Sequence, residues 1–266
     1  LTEDVRAGCT PIALVASAGD VNTGRVDPIP EMVVIARRFG VWLHVDGAYG
    51  GFGVLDERVR HLYGNLADVD SLAIDPHKWL AVPVGCGACF VRDSDLLGRA
   101  FTIEPGEYVR MQPAGTTDPG SAFDERGEGD HDFTIDFSTP SRGLAVWAVL
   151  KEIGAEGMAA RVRRHLDCAR RVAELCRESP ELELLAEPVL SICCFRYRPP
   201  GVTDEAAIDR ANERVALAVR AAGRCTPSTT RVHGRFAIRP CFINPRTELA
   251  DAEALVVEVL RAGRSL

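Results

Sequence analysis

Two apolar runs in this chain end abruptly at residues able to do chemistry, and together they constrain the fold more than any other feature. Residues 41–51 read VWLHVDGAYGG and residues 71–79 read SLAIDPHKW. VWLHV has β-branched and large apolar side chains with no solvent-facing alternation, the pattern of a strand buried on both faces. It stops at Asp46. SLAI, a second short strand, stops at Asp75, His77 and Lys78. In an open parallel sheet, functional groups gather just beyond the carboxyl ends of the strands. Two neighbouring strand ends would therefore offer a carboxylate and an amine to one crevice.

A lysine at the rim of an apolar pocket loses solvation, which disfavours its charged form and frees the amine as a nucleophile. A carboxylate across the pocket can keep a proton on a pyridine nitrogen. Those are the two groups that pyridoxal phosphate asks of a protein, a Schiff-base lysine and an acid for the ring nitrogen. The chain has 31 basic residues, of which only Lys78 and Lys151 are lysines. Where arginine is the default cation, a lysine inside a His-Lys-Trp strand end is not a generic surface charge. Taken singly, each half has a plainer explanation: Asp46 as a helix cap, Lys78 as a solvated loop cation. The two at this spacing point to a cofactor site.

HVDGAYGG and IDPHKW resemble the two signature segments of the group II pyridoxal-phosphate-dependent amino acid decarboxylases, the family of aromatic-L-amino-acid, tyrosine, histidine and glutamate decarboxylases. Residues 15–27 (VASAGDVNTGRVD) resemble the strand and loop ahead of the Asp segment. Residues 141–147 resemble the Arg-containing entry to a long helix, and residues 195–201 (FRYRPPG) a strand of the C-terminal domain. The resemblance covers nearly the whole chain but starts part-way into a usual member. It implies an α/β fold of the aspartate-aminotransferase type (fold type I), with a mostly parallel sheet in the large domain and a smaller C-terminal α/β domain. It further implies that part of the phosphate cradle and the aromatic that stacks on the pyridine lie in another stretch of polypeptide.

By the resemblance, Lys78 carries the cofactor, Asp46 accepts the pyridinium N–H, and the Ala48 methyl packs on a ring face. His77, Asp75 and Ser17 then lie near the cofactor, the first two at its phosphate. The family often has Asn or Ser at position 75, Thr at position 20 and Lys at position 145; this chain has Asp75, Asp20 and Ala145. A lid tyrosine follows a Glu-Pro or Asp-Pro pair in the family and is implicated in returning a proton to the carbanion after carbon dioxide leaves. AFTIEPGEY offers Tyr108 at that place, with one extra residue in the spacing. Related aldehyde synthases have Phe there, so Tyr108 implies simple decarboxylation of an L-amino acid, aromatic or related. The rival on the same scaffold couples decarboxylation to oxidative deamination and gives an aldehyde. The resemblance also implies a homodimer, or a complex with a chain supplying the remaining half.

Composition narrows the partners. A net charge of −7 over 266 residues argues against nucleic acid or an anionic membrane surface. No apolar run reaches the roughly 18 residues of a membrane span, and the LTED opening lacks the basic and apolar blocks of a signal peptide. Nine cysteines, an odd number, read as free thiols in a reducing cytoplasm. Cys86 and Cys89 have C-x-x-C spacing, but without a second pair at metal-ligand spacing they read as buried small hydrophobes.

In chain order, residues 12–17 form a strand. A helix starts at Asp27-Pro28 and carries Ile29, Met32, Val33, Ala36 and Phe39 on one face, with Gly40 as its stop. The strand at 41–45 follows, then a surface helix over 54–68 and a strand over 85–92. Residues 101–137 lose all periodicity, which in a compact enzyme reads as a functional loop. Arg142 opens a helix and either binds a carboxylate, ties the lid's base or makes a structural ion pair. Helices over 158–178, 205–222 and 249–262 and strands over 192–197 and 235–240 complete the chain. His44, on the same side of its strand as Asp46, reads as a satisfied core histidine. The expected divisions are 1–100 (second half of the cofactor-binding domain), 101–140 (lid), 141–157 (bridging helix) and 158–266 (small domain).

Overall fold

The computed structural model describes residues 1–101, 133–135 and 139–266. Strands β1 (Ala13–Ser17), β2 (Trp42–Asp46), β3 (Ser71–Ile74) and β4 (Ala88–Val91) form the first sheet, in the order β1-β2-β3-β4. β1, β2 and β3 run parallel. β4 is antiparallel to β3, because the link over residues 75–87 contains no helix to carry the chain across. A short α1 (Thr2–Arg6) precedes β1.

Helix α2 (Ile29–Phe39) makes the crossover from β1 to β2, and buries Ile29, Val33 and Ala36 against the sheet. Pro30 sits in its first turn, where the missing N–H costs nothing. Gly40 closes the helix at φ 63°, a left-handed conformation that a side chain would resist.

The helix expected over 54–68 is instead a series of short turns: 3-10 segments Gly51–Leu55, His61–Tyr63 and Leu66–Asp68 around a single α turn, α3 (Glu57–Arg60). The cause is local. Asp56 is extended (φ −96°, ψ 121°), almost fully buried, and accepts from the Arg58 backbone N–H and guanidinium. Gly64 at φ 58° and Asn65, whose side chain caps Ala67, then stop any continuation. Asp56 is a buried cap, and Arg58 pairs with it and with Asp167.

After α4 (Asp95–Phe101) and the undescribed residues comes α5 (Arg142–Glu178), two helices merged across Gly154, which sits at φ 65°, ψ −179°. This agrees with the two helices expected either side of that point. The second sheet is antiparallel, in the order β5-β6-β8-β7: β5 (Leu182–Ala186), β6 (Cys194–Tyr197), β7 (Ser228–Val232) and β8 (Arg235–Arg239). Helices α6 (Glu205–Ala221) and α7 (Leu249–Arg264) pack on it with α5. Asp204 caps α6 through the Ala207 N–H, and Glu248 and Asp251 form a capping box on α7.

A seam joins the two sheets. Leu190 enters against Gly19, Gly50 and Gly53; a Cβ on Gly50 would lie 2.2 Å from the Ala18 carbonyl oxygen and 2.5 Å from Leu190 Cδ1. Only glycine permits that approach. Asn22 also bridges the sheets: it accepts from Thr230 Oγ1 on β7, from Arg239 Nε on β8 and from Cys194 Sγ on β6.

Candidate active site

Asp46 is the last residue of β2, paired in register with Ser17 on one side and Ala73 on the other. Its side chain is exposed and accepts the Ala48 N–H at 3.0 Å. Lys78 follows β3 by four residues. Because β2 and β3 are hydrogen-bonded parallel neighbours, both residues leave the same edge of the sheet. The two turns also interlock: Gly47 N–H donates to the Ala73 carbonyl (2.9 Å) and Asp75 N–H to the Ala48 carbonyl (3.2 Å).

Within the second turn, Lys78 Nζ lies 2.8 Å from Asp75 Oδ2, and His77 Nε2 lies 3.9 Å from the same oxygen. His77 Nδ1–H donates to the Cys86 carbonyl at 2.7 Å. All three side chains are partly exposed. Asp75 therefore faces the lysine rather than standing apart as a lone anion. An amine needs a free lone pair to attack a carbonyl carbon, so this contact must open before Lys78 can react.

Ser17 is tied down by Asp27: its N–H donates to Asp27 Oδ2 (2.7 Å) and its carbonyl accepts the Asp27 N–H (2.9 Å). Asp20 is spent within its own loop. Its carboxylate accepts from the Asn22, Thr23 and Arg25 N–H groups and from Thr23 Oγ1. Burial alone would raise its pKa, but the donors from Thr23, Arg25 and Asn22 outweigh burial and lower it. Asp20 thus holds its own loop together at the seam. His44 and Trp42 both reach Ser71 Oγ, at 2.7 and 2.8 Å, so His44 is a partnered histidine on the strand. Arg142 Nη1 donates to Thr139 Oγ1 at 2.6 Å. Tyr108 and most of the expected lid lie outside the described residues.

Sequence reasoning missed what lies beneath the two turns. Trp79, next to Lys78, is fully buried, with one ring over its face and another at its edge. Tyr49 stacks on its face at 5.4 Å and 13°, and the His165 ring of α5 lies at its edge, nearly coplanar, with centroids 6.4 Å apart at 6°. Trp79 Nε1–H donates to His165 Nδ1 at 2.7 Å, and His165 Nε2–H donates to the Asn244 carbonyl at 2.9 Å. An indole nitrogen only donates, which fixes His165 as the neutral Nε2–H tautomer. Burial, with Arg164 and Arg161 nearby, pushes the ring down to about 4 despite the Asn244 carbonyl. Tyr49 in turn shares a buried hydrogen bond with Ser191 Oγ at 2.7 Å. The available signal was His165, a lone histidine on the apolar face of a helix, whose partner was not legible from spacing.

The nine cysteines are all unpaired. No helix among the described residues is long and apolar enough to cross a membrane.

Comparison with known proteins gives a consistent set of matches. Residues 1–198 match the family model for the pyridoxal-dependent decarboxylase conserved domain. An aromatic-L-amino-acid decarboxylase from Drosophila lebanonensis is 32% identical over 214 residues, covering 80% of this chain and 50% of that protein. A phenylacetaldehyde synthase from Petunia hybrida is 28% identical over 254 residues, covering 93% of this chain and 48% of that one. A crystal structure of Oryza sativa TDC with PLP and tryptamine superposes with a TM-score of 0.86 at 25% identity, covering 99% of this chain and 53% of that chain. The chain spans about half the length of the curated relatives it matches.

Proposed function

The chain belongs to the pyridoxal-dependent decarboxylases and has their fold, and from that premise we propose that it carries the lysine half of a site that decarboxylates an L-amino acid, aromatic or related, to the amine and carbon dioxide. The observation that carries this reading is that Asp46 and Lys78 follow the ends of adjacent parallel strands, on turns interlocked by backbone hydrogen bonds. The donor set fits pyridoxal phosphate at two ends: an amine for its carbonyl and an accessible carboxylate for its ring nitrogen.

In this reading Lys78 Nζ anchors the cofactor, and Asp75 releases the amine as it does so. Asp46 keeps the ring nitrogen protonated. Ala48, half-buried at the turn, offers a methyl to one ring face. His77, oriented by the Cys86 carbonyl, turns Nε2 toward Asp75 and with it would hold the phosphate, and Ser17, at the end of β1 beside Asp46, would lie near the cofactor. When bound, pyridoxal phosphate supplies the electron sink for the pair left by the departing carboxylate. Tyr108 returns a proton to the α-carbon.

Substrate, assembly and compartment belong to the same proposal: an amino acid with an aromatic side chain, in a homodimer or a complex with a chain supplying the other half of the site, in the cytoplasm. The likeness to a phenylacetaldehyde synthase favours one rival, an aldehyde product formed with oxygen consumption. The test is an amino acid panel assayed in parallel for carbon dioxide, amine, aldehyde and peroxide, using the chain with any polypeptide that co-purifies. Amine and carbon dioxide in equal amounts without peroxide support the first reading; aldehyde and peroxide move the assignment to the second. Lys78→Ala should abolish both activity and the visible absorbance that pyridoxal phosphate gives with the wild type. Asp46→Asn should retain cofactor but lose at least a hundredfold in rate. A Lys78→Ala protein that still turns over substrate would end the proposal.

A further inference from the structure

The turn that bears Lys78 is irregular backbone. It is followed by Ala81 at φ 62°, a left-handed conformation unusual for a residue with a side chain. Such a conformation persists only where the surroundings over-determine it. The surroundings here come from α5. Arg161 Nη1 donates to the Leu80 carbonyl at 3.0 Å, and His165, one helical turn on, accepts the Trp79 indole N–H at 2.7 Å. Residues four apart on a helix share a face, so α5 grips two consecutive residues of the turn immediately after the lysine. Tyr49 stacks on the face of Trp79 and lies three residues after Asp46, so one stack of rings ties the acid-bearing turn to the amine-bearing turn.

We propose that His165 is a positioning residue for Lys78: by accepting from Trp79 in its Nε2–H form, it fixes the lysine's turn against the Asp46 turn and sets where Nζ meets a carbonyl. This rests on Lys78 being the cofactor lysine and deepens that reading. His165 is itself fully buried and its second nitrogen is committed to the Asn244 carbonyl, so it touches no reacting atom and acts only through Trp79. The arrangement has little freedom to adapt. The ring is held at both nitrogens and lies nearly coplanar with the indole it accepts from, so moving it moves the turn.

The chain contains an internal reference, because Lys151, its only other lysine, is exposed on α5. The chain, with any polypeptide that co-purifies, is incubated with pyridoxal phosphate and reduced with borohydride. The pyridoxyl adducts on Lys78 and Lys151 are then counted by peptide mass spectrometry. In the wild type, Lys78 should be labelled at least tenfold faster than Lys151. Trp79→Phe keeps a ring against Tyr49 but removes the N–H together with the fused five-membered ring; it and His165→Ala should each cut the Lys78-to-Lys151 ratio at least tenfold. His165→Asn, whose Oδ1 can accept the indole N–H, should recover most of it. Thermal melts run alongside identify any variant that fails to fold. If His165→Ala is such a variant, Trp79→Phe decides. A ratio within twofold of wild type in folded Trp79→Phe overturns the positioning role and leaves the Lys78 assignment standing. A wild-type ratio near one overturns the Lys78 assignment and the positioning role with it.

Discussion

In the first sheet Val15 is 63% exposed and Phe90 56%, whereas all four residues of β6 in the second sheet are buried, Arg196 included. The first sheet carries the turns proposed to react and leaves apolar surface bare. The second buries its inner strand β6 under its own helices and carries none of the expected site residues. Yet the first sheet's turns are not self-sufficient. Their geometry is imported across the seam, through His165 and Arg161 of α5, Leu190 and Ser191. The second half thus acts as the rigid jig, and the first holds the chemistry proposed above.

The largest expected effect breaks the second half. Arg196 is fully buried and pairs with Glu183 and Glu205, both at 2.8 Å, with Asp209 at 3.7 Å. Removing the cation takes the innermost partner from three carboxylates, which keep only the more exposed Arg198, Arg231 and Arg235, and leaves a void where the buried side chain packed. Arg196→Ala should cost about 3–5 kcal/mol in urea unfolding, and Arg196→Met distinctly less if apolar packing substitutes for the charge. A loss below about 1 kcal/mol in Arg196→Ala would mean that the second sheet is not the stable partner in the comparison.

The next effect lies at the seam. His165 titrates near 6.5 in an unfolded chain and near 4 in the fold. Between those values the unfolded chain binds the extra proton, so stability is lost as pH falls through the window. By pH 4 the loss from this group is about 3 kcal/mol. A charged ring can no longer accept from Trp79, and Arg161 and Arg164, the charged groups acting on it, are both cations. Urea midpoints between pH 7 and pH 4.5 should therefore slope more steeply for the wild type than for His165→Asn. Equal slopes would place the pH dependence elsewhere, with the carboxylates.

How much of this was legible beforehand follows from the range of each interaction. Helix α2 with its Gly40 stop and the strands ending at Ser17, Asp46 and Ile74 were readable because they depend on neighbours in sequence. The 54–68 segment misled because Asp56 looks like surface charge until its partners Arg58 and Asp167 are seen; Arg58 reaches Asp167 across 109 positions. β5 and β7 were missed. LELLA lacks β-branched residues, and STTRV gains its place only by pairing with β8. The acid and the amine of the site were visible as motifs. The Trp79–His165 bond was not, because it joins residues 86 apart and leaves no periodic trace.

The smallest effect tests the open face directly. Val15 on β1 and Val45 on β2 are residues of the same type in adjacent strands, paired one position out of register, 63% and 0% exposed. Threonine suits a strand as well as valine does but adds a hydroxyl. At position 45 that hydroxyl is buried without a prepared partner, and Val45→Thr should cost about 1–3 kcal/mol. At position 15 it meets solvent, and Val15→Thr should change stability by no more than about 0.5 kcal/mol. The difference between the two variants measures the asymmetry of the first sheet. If Val15→Thr costs as much as Val45→Thr in the purified protein, then that face is covered in solution, and the contrast between the two sheets has to be redrawn.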